Sequence, residues 1–213
     1  MKTVGIRLMV GLAAACLCGW GLAGVYGLHA ARAQGKEPLE AKEAAPAGGK
    51  AVGGLQMSIQ PEKTSYAVGE KMKFRIEMRN VAGQDLILNL GIMLGNGRKQ
   101  YANAVCLILT DASGKKTKLR LMGPAAVAGR VDDFLVPLPA GAAYVLETAL
   151  GDYCCLDTKE FRIEPAPGQY PIAAAYEGTA PHYINSDTEG LRLLPVLTGE
   201  IASETSSFTV VAK

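Results

Sequence analysis

Apolar and polar residues alternate strictly over residues 71–80. The apolar members are Met72, Phe74, Ile76 and Met78. The charged members at the alternate positions are Lys71, Lys73, Arg75, Glu77 and Arg79. A period of two predicts a β-strand with one buried face and one solvated face, because successive strand side chains point to opposite faces. Such a strand needs a second layer to cover its apolar face.

Similar segments follow one another to the end of the chain, separated by Gly- and Pro-containing turns. They predict strands over residues 55–60, 86–94, 104–110, 118–122, 134–138, 143–150, 170–176, 199–203 and 207–211. No segment shows a helical period. About nine short strands at regular spacing indicate an all-β fold, an antiparallel immunoglobulin-like β-sandwich of about seven to nine strands.

The first 33 residues have the features of a secretory signal peptide. Lys2 and Arg7 precede an apolar run over residues 8–24, and Ala31 and Ala33 provide small residues for cleavage before Gln34. An uncleaved membrane anchor and lipid attachment at Cys16 are the alternatives. Residues 34–54, rich in Ala, Gly, Pro, Lys and Glu, predict a disordered linker. The sandwich domain is then expected over residues 55–213, in a periplasmic or extracellular protein.

Cleavage changes the charge of the chain. It removes three of the 22 basic residues and none of the 20 acidic ones, which leaves a net charge of −1. The mature chain therefore has no electrostatic signature of nucleic-acid binding. We expect contact with a membrane only through an uncleaved leader or a lipid.

Three cysteines remain after cleavage, Cys106, Cys154 and Cys155. An oxidising compartment permits a disulfide between Cys106 and either Cys154 or Cys155. Neighbours along a strand point to opposite faces, so Cys154 and Cys155 are not expected to pair with each other. Buried free thiols and a soft-metal site are the alternatives.

The loop over residues 177–197 contains two weak patterns. His182, Ser186 and Asp187 are the residue types of a catalytic triad, but a triad requires separate rigid elements, and we predict a solvated loop. Asn185, Asp187 and Glu189 resemble the start of a calcium loop, without the acid at its twelfth position. Apolar residues in this loop indicate either a core segment or a docking patch. Lys71, Lys73 and Arg75 form a basic stripe, interpreted as a solvated face or a polyanion site.

Turn signals add a family resemblance. Pro61–Tyr66 with Val68-Gly69-Glu70 precedes the alternating strand, Asp111 to Gly114 forms an Asp-x-x-Gly turn, and Pro167-Gly168-Gln169-Tyr170 begins a late strand. With Leu138-Pro139-Ala140-Gly141, these signals resemble immunoglobulin-like or fibronectin-III-like modules of secreted bacterial proteins. They are most similar to the non-catalytic module of deuterolysin-class metallopeptidases, and the layout is also similar to proteinase inhibitors of the BsuPI type.

The chain departs from these families in informative ways. It has no His-Glu-x-x-His motif and no Cys…Trp…Cys framework. Tyr170 or Tyr176 is a candidate for a tyrosine corner. We expect no enzymatic activity and no cofactor. We expect a binding module for a protein or cell-surface component, contacting it through long loops or a sheet edge. The alternative is a secreted proteinase inhibitor acting through residues 123–132 or 177–197.

Overall fold

The computed structural model describes residues 48–95, 97–124, 127, 129–156, 161–182 and 196–213. These residues belong to one compact unit, Lys42–Lys213. The predicted signal peptide and most of the predicted linker lie outside the described residues. Residues 48–52 are part of the fold, because the Gly49 N–H donates to the Met57 carbonyl at 2.8 Å and Val52 forms a bridge with Leu55.

The described residues form fourteen strands and one short 3₁₀ helix, Leu150–Asp152. The strands are β1 (Leu55–Pro61), β2 (Ser65–Ala67), β3 (Lys73–Asn80), β4 (Leu86–Leu94), β5 (Lys99–Tyr101), β6 (Val105–Thr110), β7 (Lys116–Leu121), β8 (Val131–Leu138), β9 (Ala143–Ala149), β10 (Tyr153–Cys154), β11 (Gly168–Gly178), β12 (Val196–Leu197), β13 (Gly199–Ala202) and β14 (Ser206–Val211). Within this part of the chain, no helix is long and apolar enough to span a bilayer.

The strands form two layers. One layer is the sheet β10-β7-β6-β11-β14-β2, with β13 also paired to β11. The other contains the sheet β1-β3-β9 and a second sheet in which β12, β5 and β8 pair with β4. Strands β1 and β4 of this layer both contact β11 of the first. The arrangement β1-β3-β9 over β7-β6-β11-β14 is that of an immunoglobulin-like sandwich, so the predicted fold class is confirmed.

Two details differ from the expectation. Strands β2, β5, β10 and β12 were not predicted, since elements of two or three residues are too short to show a period. The sheets are not wholly antiparallel, because β14 pairs with β2 and β12 pairs with β4 in parallel.

The core contains the apolar face identified in the sequence. Met72, Phe74, Ile76 and Met78 are buried together, whereas Lys73 and Arg75 on the opposite face of β3 are exposed. Phe208 of β14 lies at the centre of an aromatic cluster. Its ring centroid is 5.5 Å from that of Phe74, 5.7 Å from Tyr170 and 5.9 Å from Tyr66. Aromatic contacts of this kind add to the free energy of burial and join the two layers.

Tyr170 forms the predicted tyrosine corner. It stands near the start of β11, and its hydroxyl donates to the carbonyl of Ala166, four residues upstream, at 2.9 Å. Tyr176, further along β11, is fully buried and forms hydrogen bonds to the opposite layer. Its hydroxyl accepts from the Asn89 N–H at 3.1 Å and donates to the Leu197 carbonyl at 3.1 Å. Both tyrosines therefore fix backbone segments to the sheet.

Asn80 joins the β3–β9 and β4–β8 ladders where the chain turns. Its side-chain nitrogen donates to the Leu138 carbonyl at 2.8 Å and to the Gln84 carbonyl at 2.9 Å, and its oxygen accepts from the Ala82 N–H. Both N–H groups and the oxygen of this fully buried amide therefore have hydrogen-bond partners, as buried polar groups require. Asn80 thereby sets the place where β8 ends and β9 begins.

Candidate functional site

Strand β9 has an open hydrogen-bonding edge. On its other side it pairs with β3, and the Asn80 N–H donates to the Ala142 carbonyl while the Leu150 N–H donates to the Met72 carbonyl. Bonding alternates along an antiparallel ladder, so even-numbered residues of β9 bond to β3. The backbone groups of Ala143, Val145, Glu147 and Ala149 therefore face outward. β9 pairs with no other strand in the described part of the chain.

The 3₁₀ helix closes one end of this edge. The Asp152 carboxylate accepts the outward N–H of Ala149 at 3.0 Å. Ala143, Val145 and Glu147 remain with outward backbone groups. The open edge is therefore a defined stretch of β9 that ends where Asp152 occupies the next position.

The other described strand edges are protected in recognisable ways. Gly49 bonds to the outer edge of β1. β7 has Lys116 and Lys118, and β8 has Pro137 with two aspartates. The remaining edge strands have two to four residues: β2, β5, β10, β12 and β13. β9 has seven residues, a single charge at Glu147, and no Lys, Pro or Gly. Among the described strands it is the long edge without protection.

A groove of about 400 Å³ lies between β9 and the β7–β10 edge of the opposite sheet. Leu121 of β7 and Tyr153 of β10 border it on one side, and Tyr144 and Leu146 of β9 border it on the other. The groove is mainly apolar and aromatic. Its principal walls are Tyr101, Leu121, Phe134, Tyr144, Leu146 and Tyr153. The rings of Phe134 and Tyr144 meet edge to face, with centroids 6.4 Å apart.

Tyr153 has an unsatisfied hydroxyl. Its side chain is 2% exposed, and the hydroxyl makes no hydrogen bond. Burial raises the pKa of Tyr153 to about 12, and the neighbouring Thr148 side chain opposes only part of this rise. Burial also raises the pKa of Tyr144.

The predicted basic stripe lies on the other side of β9. Lys71, Lys73 and Arg75 line a depression of about 610 Å³ together with acidic residues. Lys73 pairs with Glu62 at 3.2 Å, and Arg75 pairs with Glu77 at 3.5 Å. This mixture of charges favours the interpretation of a solvated face over a polyanion site. The depression shares Glu147, Thr148 and Asp152 with the groove, so these residues form the ridge between the two concave surfaces.

The three cysteines in the described part of the chain, Cys106, Cys154 and Cys155, are free and buried. Cys106 of β6 and Cys154 of β10 are both paired in register with Arg120 of β7, which lies between them. Two strand spacings separate their Cα atoms by about 9.5 Å, whereas a disulfide spans at most about 7 Å. In this arrangement Cys106 and Cys154 therefore lie too far apart to form a disulfide. Cys155 packs in the core between the layers, whereas Cys106 lies on the outer face of its sheet, and no bond joins them.

Charged side chains cover Cys106. Glu177 of β11 pairs with Lys118 and, at 2.6 Å, with Arg120, and Lys118 also lies 3.5 Å from Glu200. The hydrogen bond from Lys118 holds the pKa of Glu177 below its usual value. Burial raises the pKa of the Cys106 thiol, so the reactive thiolate is disfavoured. This cluster stabilises the sheet and leaves the thiol inaccessible.

The remaining predicted site residues fall largely outside the described chain. Ser186 and the calcium candidates Asn185, Asp187 and Glu189 are among them, as are parts of both candidate inhibitory loops. His182 is described, and its backbone N–H donates to the Asp133 carboxylate oxygens at 2.9 and 3.1 Å. Within the described ranges, no group of three or more His, Cys, Asp and Glu side chains is arranged to hold a metal ion.

Comparison with known proteins gives only distant similarity in fold. No protein-family model and no curated protein sequence matches the chain. A CARDB domain from Pyrococcus furiosus, determined in complex with di-metal ions, is 12% identical over 74% of this chain and 87% of that one, with a TM-score of 0.34. The β-glucosidase EmGH1 from Erythrobacter marinus is 16% identical over 74% of this chain, with a TM-score of 0.35. A β-glucosidase from Listeria innocua is 10% identical over 75% of this chain, also with a TM-score of 0.35.

This chain spans only 15% and 16% of the two β-glucosidases. The class that the molecule's own topology defines is an immunoglobulin-like β-sandwich. The fold alone does not determine an activity, so function has to be argued from the open edge and its surroundings.

Proposed function

We propose that the protein is an exported, non-enzymatic binding module that takes up an extended segment of a partner protein along the edge of β9. The observation that carries this proposal is the unprotected length of β9 in a molecule whose other described edges are blocked. An extended peptide satisfies outward N–H and C=O groups as no globular surface does, and strand addition is a common mode of peptide recognition. Export is supported by the leader sequence at residues 1–33.

The groove supplies the second part of the binding free energy. Each backbone hydrogen bond formed with the partner contributes about 1 kcal/mol net. A strand beside β9 would also border the groove and cover the partly buried side chains of Leu121, Tyr144 and Leu146, which would bury apolar area worth about 25 cal/mol per Å². The partner strand would thus occupy the place of a fourth strand in the sheet β1-β3-β9.

Selection from a random library of displayed nonapeptides tests the proposal. Peptides enriched on the purified protein are compared for binding to Val145→Pro and Val145→Thr. Proline removes the outward N–H of Val145 while leaving the bonds to β3 intact, and proline is tolerated on edge strands. Threonine keeps both the N–H and the branched side chain. We expect at least tenfold weaker binding to the Pro variant and unchanged binding to the Thr variant.

Circular dichroism must show that both variants keep the β-sandwich. Enriched peptides that bind the Pro variant as tightly as the wild type would contradict the proposal, as would a library from which nothing is enriched. Sedimentation of the wild-type protein tests whether a second copy of the chain, rather than a partner protein, pairs with β9. A dimer that the Pro variant converts to a monomer would show that β9 pairs with a second copy, and the proposed partner would then be wrong.

A further inference from the structure

We propose that the bound segment runs antiparallel to β9 and carries, in chain order, a basic residue, a large apolar residue and a β-branched residue. These three would stand opposite Glu147, Leu146 and Val145. This inference rests on the strand addition proposed above and adds the chemistry of the partner. It follows from the two different surfaces that β9 presents, the groove on one side and the charged face on the other.

The apolar residue is specified by the groove. A residue opposite Leu146 points to the same side of the sheet as Leu146, since directly opposed residues share a face. That side is lined by Leu121, Phe134 and Tyr153, with about 400 Å³ of space. Leu146 and Tyr144 are only partly buried although they pack against the core. A leucine, methionine or phenylalanine from the partner would complete their burial.

The basic residue is specified by Glu147. This side chain is exposed and has no ion-pair partner among the described residues. Arg75 stands directly across from it on β3, but Arg75 pairs with Glu77 at 3.5 Å. Asp152, on the same ridge, already accepts the Ala149 N–H. A lysine or arginine on the partner would meet Glu147 on the side away from β3, where a glutamate would be repelled.

The β-branched residue is specified by Val145. This side chain is 36% exposed on the outer face, and its neighbour on β3, Glu77, is held by Arg79 at 2.6 Å. Val145 therefore presents apolar surface that a branched side chain directly opposite would cover. The antiparallel direction is preferred because antiparallel pairing is slightly more stable for each residue, and β1, β3 and β9 already follow it.

Matched fluorescent peptides test the inference. The first is Thr-Ser-Thr-Lys-Leu-Val-Thr-Ser-Thr; the second has Glu in place of Lys, the third Asn in place of Leu, and the fourth the order Val-Leu-Lys at its centre. We expect the first to bind about fivefold more tightly than the second and at least tenfold more tightly than the third. Glu147→Lys should reverse the preference between the first two. Glu204→Lys, at an exposed position that lines neither concave surface, should leave the preference unchanged.

The outcomes separate this inference from the proposed function. Equal binding of the Lys and Glu peptides, lost in Val145→Pro, would overturn the charge specificity while strand addition stands. Tighter binding of the Val-Leu-Lys peptide would overturn the antiparallel direction. Failure of all four peptides, with library peptides still dependent on the Val145 N–H, would overturn the proposed motif alone.

Discussion

The hydroxyl of Tyr176 accepts a hydrogen bond from the backbone N–H of Asn89, from a strand of the opposite layer, at 3.1 Å. Because the same hydroxyl donates to the Leu197 carbonyl, one buried atom satisfies backbone groups on two separate segments. Around this bond, β4 departs from regular pairing with β8 between Asn89 and Ile92, and Gly91 adopts a φ of 138°. A Cβ at Gly91 would lie 1.9 Å from the Asn103 Oδ1 atom, so the position requires glycine.

Tyr176→Phe should destabilise the protein by about 2 kcal/mol, because it leaves the buried Asn89 N–H and the partly buried Leu197 carbonyl without this partner. Tyr170→Phe is the matched control. It removes the solvent-exposed hydrogen bond of the tyrosine corner and keeps the ring, so water replaces the lost partner. Urea unfolding of both variants should show the larger shift in midpoint for Tyr176→Phe. Equal shifts would show that the inter-layer hydrogen bond has no special contribution.

Tyr153→Phe should behave in the opposite way at neutral pH. The Tyr153 hydroxyl is buried without a hydrogen bond, so its removal eliminates a desolvation cost and should stabilise the fold by about 1 kcal/mol. The same urea titration measures this. A destabilisation of 1 kcal/mol or more would mean that the hydroxyl has a partner in solution.

Alkaline pH should destabilise the folded state as the buried phenols of Tyr153 and Tyr176 lose their protons. Burial raises the pKa of each phenol in the folded state to about 12, from an ordinary value of about 10. A raised pKa means that the folded state holds the proton more tightly, so this stability is complete below about pH 10 and is lost as pH rises toward 12. Unfolding free energies measured from pH 9 to 12 should therefore fall, and they should fall less steeply in Tyr153→Phe. Parallel slopes would contradict the assignment.

Glu177→Gln should cost about 1 kcal/mol at neutral pH, since it removes the charge shared by Lys118 and Arg120 on a partly exposed face. The pKa of Glu177 is lowered in the folded state, so the contribution is present above the unfolded value of about 4.5 and disappears as pH falls through the folded value. The difference from wild type should therefore shrink in acid. Glu200→Gln, 60% exposed and 3.5 Å from Lys118, is the control and should have a smaller effect.

The thiols should be unreactive in the native protein. Cys106, Cys154 and Cys155 are buried, so in a chain that starts at Gln34 Ellman's reagent should titrate none of them in the folded state and three after denaturation without reductant. A single reactive thiol after denaturation would show that a disulfide forms and that the strands around Arg120 differ from this arrangement.

Much of the fold was predictable because local patterns carry it. The alternation from Met72 to Met78 specified the buried face of β3, and Tyr170 was one of two candidates for the tyrosine corner. The cysteine arrangement was not predictable, since it depends on Arg120 of β7 lying between Cys106 and Cys154. The open edge was not predictable either. Residues 143–149 have an ordinary strand pattern, and only the pairing of the whole sheet shows that nothing described lies beside Val145.

The parallel pairing of β2 with β14 determines how the sandwich would respond to mechanical load. The β2 residues Ser65, Tyr66 and Ala67 pair with the β14 residues Thr209, Val210 and Val211. The two strands are neighbours in space, but β2 comes early in the folded sequence and β14 comes last. Tension applied through the two ends of the folded sequence would pull the two strands past each other, so their hydrogen bonds would have to break together rather than one after another. A sandwich arranged in this way would resist forced unfolding by a pull applied at Ser65 and Val211.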